Sequence, residues 1–353
     1  MDPRSVDLNL YNLEITHYCT KNNKTYPMEI ILDAYGTFVQ MKNKMVLINP
    51  KDKENIYVPL DKINTVIVTP GIRITSDVLF TLIHHDIDVI MQSRNGDVKG
   101  RIWNNRFGSI ADIRKNQLKQ AKNELACRWV TEIISRKILN QKNLMSKLYQ
   151  ENLDKAAHPG KALKKMEGCL NKLDLLPRHS IPTIEKELRN IEARAAQYYW
   201  SWMKSLFPKV YQFPGRITRQ ANDPVNSMLS YGYGMFYHKI ESAIIKSGLD
   251  PQIGWFHVNQ FNKPVLAYDL IEPFRVWVDE VVVNLCLGLV IPKALFQYKD
   301  GKCEMTRPAR KILSVSVNKF LDQATPYKGK KYKRGYQFFL EAQNLATMVK
   351  TTS

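Results

Sequence analysis

Glu192, His257, Asp269 and Glu272 are the residues of this 353-residue chain whose types suit chemistry on a phosphodiester. Three carboxylates and one imidazole can hold a hard divalent ion, and such an ion polarises phosphoryl oxygens. Glu192 borders an apolar stripe, with Leu188, Ala195 and Ala196 as its i−4, i+3 and i+4 neighbours. A carboxylate there is partly desolvated and calls for a cation. Asp269 and Glu272 are three apart, so at a helix start they share one face, and Pro273 is tolerated only near a first turn. His257 closes the apolar run Gly254-Trp-Phe-His257, which fixes its ring. Spacing alone leaves blander roles open: a solvated helix face, a hydrogen-bonded structural histidine, and an acidic pair that caps a helix.

The charge around these residues is uneven. Lys plus Arg number 52 against 33 acidic residues, a net +19. Residues 1–100 are nearly neutral at net −1, whereas 101–353 carry net +20. A basic region of this size points to a nucleic-acid or anionic-membrane partner. Membrane is the weaker reading, because the longest apolar run, Val281 to Pro292, is interrupted by Asn284 and is too short to span a bilayer. The N-terminus has no signal-peptide core. Five scattered cysteines form no C-x-x-C pair, so neither a zinc knuckle nor a disulfide framework is suggested, and a reducing, cytoplasmic setting fits.

The elements that must position the candidates fall into an α+β arrangement, a mostly antiparallel β domain followed by an all-α domain. Met28–Leu32, 37–48, Tyr57–Pro59 and Thr65-Val-Ile-Val-Thr69 read as strands. Ser76–His85 reads as a helix, and 88–102 as a hairpin around Asn95-Gly96. From Asp112 the period becomes helical: 112–149, 180–206, 223–248 and 270–289 read as helices, the second with the stripe Ile184, Leu188, Ile191, Ala195, Tyr199 and Trp202. The Lys-rich stretch 152–178 is less regular. The expected boundaries are a polar extension over 1–27 (an added edge strand or a loose arm), a β domain over 28–105 for dimerisation or partner docking, a helical catalytic domain over 106–320, and a basic tail over 321–353.

Four ordered blocks carry a family resemblance. Asn226-Ser-Met-Leu-Ser-Tyr231-Gly-Tyr233-Gly resembles the Asn-x-x-Leu-Asn-Tyr-x-Tyr signature of the CRISPR-associated adaptation integrases, the family of the first-numbered Cas protein. Gly248-Leu-Asp-Pro251-Gln-Ile-Gly254-Trp-Phe-His257 is similar to its Gly-Leu-Asp-Pro-x-x-Gly-Phe-x-His stretch, and Leu266-Ala-Tyr-Asp269-Leu-Ile-Glu272-Pro-Phe-Arg275 to its Asp-Leu-x-Glu-Pro-Phe-Arg block. Arg189-Asn-Ile-Glu192-Ala-Arg-Ala resembles its first catalytic helix, with Ala193 where a glycine is frequent. Lys137-Ile-Leu-Asn-Gln141 also fits, whereas 1–25, 140–181 and the Lys-rich tail are unfamiliar.

The resemblance implies that Glu192, His257 and Glu272 are catalytic metal ligands for Mg2+ or Mn2+, with Asp269 an accessory. It implies an endonuclease and integrase that inserts short DNA fragments into a CRISPR array by 3′-hydroxyl attack, in other words spacer acquisition. It also implies a homodimer acting on double-stranded DNA with the small second CRISPR adaptation protein. Arg194, Lys263 and Arg275 are candidate DNA contacts, and Tyr198, Tyr199, Trp200, Tyr231 and Tyr233 are aromatics that stack on bases or fill the core. His84-His85-Asp86-x-Asp88 looks metal-like but reads better as a helix-end turn. The rival readings are a transposon-borne integrase of the same family and a non-catalytic nucleic-acid-binding scaffold.

Overall fold

Among the described residues up to Ile102, strand-forming β-branched runs build eight short strands beside one α-helix. The structure, a computed structural model, describes residues 28–351 except 52, 94–97, 103–109, 154–155, 219 and 258–262. The extension over 1–27 and the Asn95-Gly96 turn lie outside the described residues. The chain divides into two units, 1–106 and 107–353.

In the first unit β1 (Met28–Leu32), β5 (Ile63–Val68), β7 (Asp88–Gln92) and β8 (Val98–Ile102) form one sheet in that order. β4 (Ile56–Pro59), β3 (Met45–Asn49), β2 (Phe38–Lys42) and β6 (Arg73–Ile74) form the other. The sheets are mixed rather than mostly antiparallel. β1–β5, β5–β7 and β2–β6 are parallel, and β7–β8, β2–β3 and β3–β4 antiparallel. The reason is α1 (Ser76–His84), which lies on the connection between β5 and β7: a parallel pair needs such a crossover. Val78 and Leu82 of α1 join Ile30, Val66 and Val89 in the core. The run 37–48 is broken by a two-residue turn at Asn43-Lys44, both at positive φ, which joins β2 to β3. His84 ends α1 and Asp86 turns the chain at φ 56° before β7, so the His-His-Asp segment is a helix-end turn.

The second unit is helical with two hairpins, not all-α. α2 (Ile110–Gln120) and α3 (Glu124–Glu151) are separate, and Leu118 is exposed while Gln117 and Gln120 are buried. The Lys-rich stretch contains α4 (Gly160–Asp174), which buries Met166, Cys169 and Leu173 on one face against α5 (Ile181–Met203). The predicted stripe of α5 is buried throughout. Asp223 caps α6 (Pro224–Lys246) by accepting the Asn226 N–H at 2.9 Å. The expected 270–289 helix starts later: α7 (Val265–Leu270) precedes it, Pro273 lies in a 3-10 turn over Glu272–Phe274, and the helix itself is α8 (Arg275–Leu287). Gly232 lets α6 approach α8, because a Cβ there would lie 2.5 Å from Val278 Cγ1.

After the hairpin of β9 (Phe296–Lys299) and β10 (Lys302–Met305) comes α9 (Arg307–Asp322). The expected basic tail is folded. Ala324–Tyr327 and Lys330–Lys333 form the hairpin β11–β12, and α10 (Arg334–Thr351) packs on α6 and α2. Phe338 of α10 sits among Phe236, Phe274 and Trp277. Glu341 accepts from Arg136 of α3 at 2.7 Å and from the Tyr327 hydroxyl at 2.8 Å. The lysines hide this in the sequence, because the residues that hold the hairpin alternate with them.

Candidate active site

The 3.6-residue period of α5 puts Glu192 at the edge of the buried stripe, and α3 supplies the cation it calls for. Lys137 Nζ lies 2.5 Å from Glu192 Oε1 and 2.6 Å from Glu272 Oε2. Only the first contact has hydrogen-bond alignment. Glu272 Oε2 is thus charge-paired and buried but accepts no aligned hydrogen bond. Lys137 was not among the predicted site residues. Its signal was available: it stands on the apolar face of α3, three and four residues after Ile134 and Ile133, where a lysine needs buried carboxylates.

Glu272 opens the 3-10 turn, which Asn140 of α3 holds by donating to the Pro273 carbonyl at 2.8 Å. Its other oxygen accepts from Arg275 Nε at 2.9 Å. Arg275 also donates to the Tyr237 hydroxyl at 2.7 Å and lies over the Tyr233 ring. Burial pushes the Glu272 carboxyl up, but Arg275 and Lys137 outweigh this and hold it at about 2. Burial likewise lowers the Lys137 ammonium, and Glu272 and Glu192 more than restore it.

His257 sits at the end of a loop latched from three sides. Gln117 of α2 donates to the Asp250 and Ile253 carbonyls at 2.9 and 2.8 Å and accepts the Asp250 N–H. Arg189 of α5 donates to the Phe256 carbonyl at 2.8 Å and lies over that ring. Asp269 accepts the backbone N–H groups of Trp255, Phe256 and His257 at 2.7–3.0 Å. Gly254 is required here, because a Cβ would fall 2.6 Å from the His257 carbonyl oxygen.

The Asp269 carboxylate also takes His257 Nδ1–H at 2.8 Å. That bond protonates Nδ1 and leaves Nε2 as the ring nitrogen for a ligand. Asp269 lies near the end of α7, not at a helix start beside Glu272, so the two carboxylates serve different partners. Both Asp269 oxygens are thus engaged by the 255–257 backbone, and one of them also by the His257 ring.

Among the described residues no three His, Cys, Asp or Glu side chains stand close enough to grip one ion as placed. The donor chemistry nevertheless fits a hard divalent cation. Glu192 and Glu272 converge on one positive charge, Glu272 Oε2 lacks an aligned donor, and His257 has its second nitrogen fixed.

The other candidates separate clearly. Arg275 is engaged by Glu272, the Tyr237 hydroxyl and the Tyr233 ring. Lys263 is exposed just before α7. Arg194 is exposed but two residues beyond Glu192, about 200° round the helix and on another face. Tyr199 and Tyr233 are buried, both donating to Asp279 of α8, with Tyr199 at 2.8 Å. Tyr198, Trp200 and Tyr231 pack against the core.

The family profile described as CRISPR associated protein Cas1 matches residues 30–319. The chain belongs to the Cas1 family. It is 28% identical over 334 residues to the CRISPR-associated endonuclease Cas1 1 of Archaeoglobus fulgidus, covering 92% of this chain and 96% of that protein. A solved casposase bound to an integration product shares the Cas1 fold with a TM-score of 0.78 at 22% identity, over 92% of this chain and 91% of that one. A Cas6-RT-Cas1--Cas2 complex shares it at 0.70 and 18% identity, over 94% of this chain and 36% of the other. The match to the Cas1 profile ends before β11, so the second hairpin and α10 lie beyond it.

Proposed function

We propose that the protein is a divalent-metal-dependent DNA integrase and endonuclease that inserts short duplexes into a CRISPR array. The observation that carries the reading is the convergence of Glu192 and Glu272 on one cation, in a helical unit whose His257 has a fixed tautomer. The family supports it, as do the relative named an endonuclease and the solved casposase bound to an integration product. Glu192, His257 Nε2 and Glu272 would hold Mg2+ or Mn2+.

A bound ion of this kind polarises the phosphodiester and stabilises charge at the attacked phosphorus. The chain's own residues prepare the place. Glu192 and Glu272 supply the negative charge, Arg275 neutralises one Glu272 oxygen, and Asp269 keeps the imidazole oriented. The incoming 3′ oxygen bonds to phosphorus, the bond to the leaving strand's 3′ oxygen breaks, and the attacking hydroxyl's proton is released as the leaving oxygen gains one. Water in place of that hydroxyl gives hydrolysis. The acting assembly is a homodimer bound to double-stranded DNA with the small second adaptation protein. The solved Cas6-RT-Cas1--Cas2 complex supports the association with the second adaptation protein.

A second reading, a transposon-borne integrase, is favoured by the likeness to the casposase. Strand transfer into a repeat-bearing plasmid, with and without Mn2+, tests both. Preference for the repeat supports array insertion, and equal use of unrelated targets supports the transposon reading. Glu192→Ala should abolish joining and retain duplex binding. Unimpaired joining by that variant would rule out the site.

A further inference from the structure

Among the described residues Lys137 is the one cation that touches both Glu192 and Glu272, and its side chain is only 9% exposed. An ammonium buried this deeply is held because two carboxylates oppose it. Together with Arg275 it makes the cluster neutral: two carboxylates, one ammonium, one guanidinium. The Arg275 guanidinium is locked by Glu272, Tyr237 and the Tyr233 ring. Lys137 is held by the two carboxylates themselves, at 2.5 and 2.6 Å. It lies on a flexible four-carbon stem, with one aligned hydrogen bond, to Glu192. A dication bonded to the same carboxylates would add two charges beside that ammonium, and like charges at such separations repel strongly in a desolvated place.

We propose that Lys137 is a positioning residue that occupies the meeting point of Glu192 and Glu272 before the metal and is displaced by it. The inference rests on the metal-site reading above. Lys137 keeps the two carboxylates from repelling each other and pre-arranges them around one cation. It also competes with the incoming ion, so it lowers metal affinity while preserving the geometry that receives it. Displacement frees a primary ammonium at the edge of the site, where a phosphodiester is its natural partner.

The test is Mn2+ binding by calorimetry to the full-length wild type and to Lys137→Met, without DNA. The variant should bind about tenfold more tightly, equivalent to about 1.4 kcal/mol. Equal or weaker binding by a folded variant overturns the proposal, since a lysine that only braces the carboxylates would lose affinity on removal. Because two unpaired carboxylates can prevent folding, a second measurement uses the wild type alone. Reductive methylation of Lys137, read by peptide mass spectrometry, should be slow without metal and accelerate severalfold once Mn2+ is bound. An unchanged rate in a sample shown to contain bound Mn2+ overturns the proposal and leaves the metal site standing. Failure of the wild type to bind Mn2+ overturns the metal-site reading, and the proposal with it.

Discussion

His257 and Asp269 are joined twice: Asp269 Oδ1 accepts both the ring Nδ1–H and the backbone N–H of His257, each at 2.8 Å. One carboxylate thus sets where the imidazole sits and which nitrogen it presents. Asp269→Asn replaces an acceptor with an amide whose N–H groups oppose the backbone donors of 255–257. Strand transfer should fall by about 10–100-fold with duplex affinity little changed. Gel-based joining and binding assays on the same preparation check this, and a joining rate within threefold of wild type would contradict it.

The Gln117 latch predicts a local effect. Gln117→Ala leaves the Asp250 N–H and the Ile253 carbonyl without their partner, while the Asp250 carbonyl keeps the Ile253 N–H at 3.2 Å. These groups are only partly buried, so each costs toward the low end of about 1–3 kcal/mol, and a net loss of about 2 kcal/mol is expected. Hydrogen exchange should quicken at amides 250–257 and stay unchanged in α4. Uniform quickening across the helical unit would show that the latch is not local.

Asp279 gives a pH dependence. Burial pushes its carboxyl up to about 6, although the Tyr233 and Tyr199 hydroxyls both donate to it. The folded protein therefore holds a proton there that the unfolded chain releases near the ordinary carboxylate value. By linkage, this group's contribution to stability falls as pH rises from about 4 to 6 and is flat above. A shift of about two units corresponds to roughly 3 kcal/mol. Asp279→Asn lacks that slope. The melting temperature of wild type relative to the variant should decline between pH 4 and 6.5, and a constant difference would count against the assignment.

The folded C-terminus predicts that residues 323–353 cannot be trimmed. Phe338, Ala342, Leu345 and Val349 are buried, and the first closes an aromatic cluster with Phe236, Phe274 and Trp277. Large apolar side chains contribute about 1.5–3 kcal/mol each, and whole domains are stable by only about 5–15. A chain stopped after Asp322 should show no cooperative thermal transition by circular dichroism. A wild-type melting curve would mean that α10 is dispensable.

Much of this protein was determined by its sequence alone. The stripe from Ile184 to Trp202 follows from helical period, because one face of a helix must be buried. Residue type brings out Glu192, His257, Asp269 and Glu272 together, and the resemblance of the surrounding blocks ranks Glu192, His257 and Glu272 as the ligands. Local pattern could not decide what depends on contacts between distant segments. Asp269 and Glu272 are three apart, yet α7 ends at Leu270 between them and a 3-10 turn begins at Glu272. One carboxylate turns to the 255–257 loop and the other to Lys137. The Lys-rich end read as a tail because charge dominates its composition, while alternating Thr325, Tyr327 and Tyr332 fold it onto α10. The partnership of Lys137 with carboxylates on two other elements exists only when α3, α5 and the 3-10 turn meet. A buried charge is stable only beside its counter-charges, and those are brought to it by the tertiary fold.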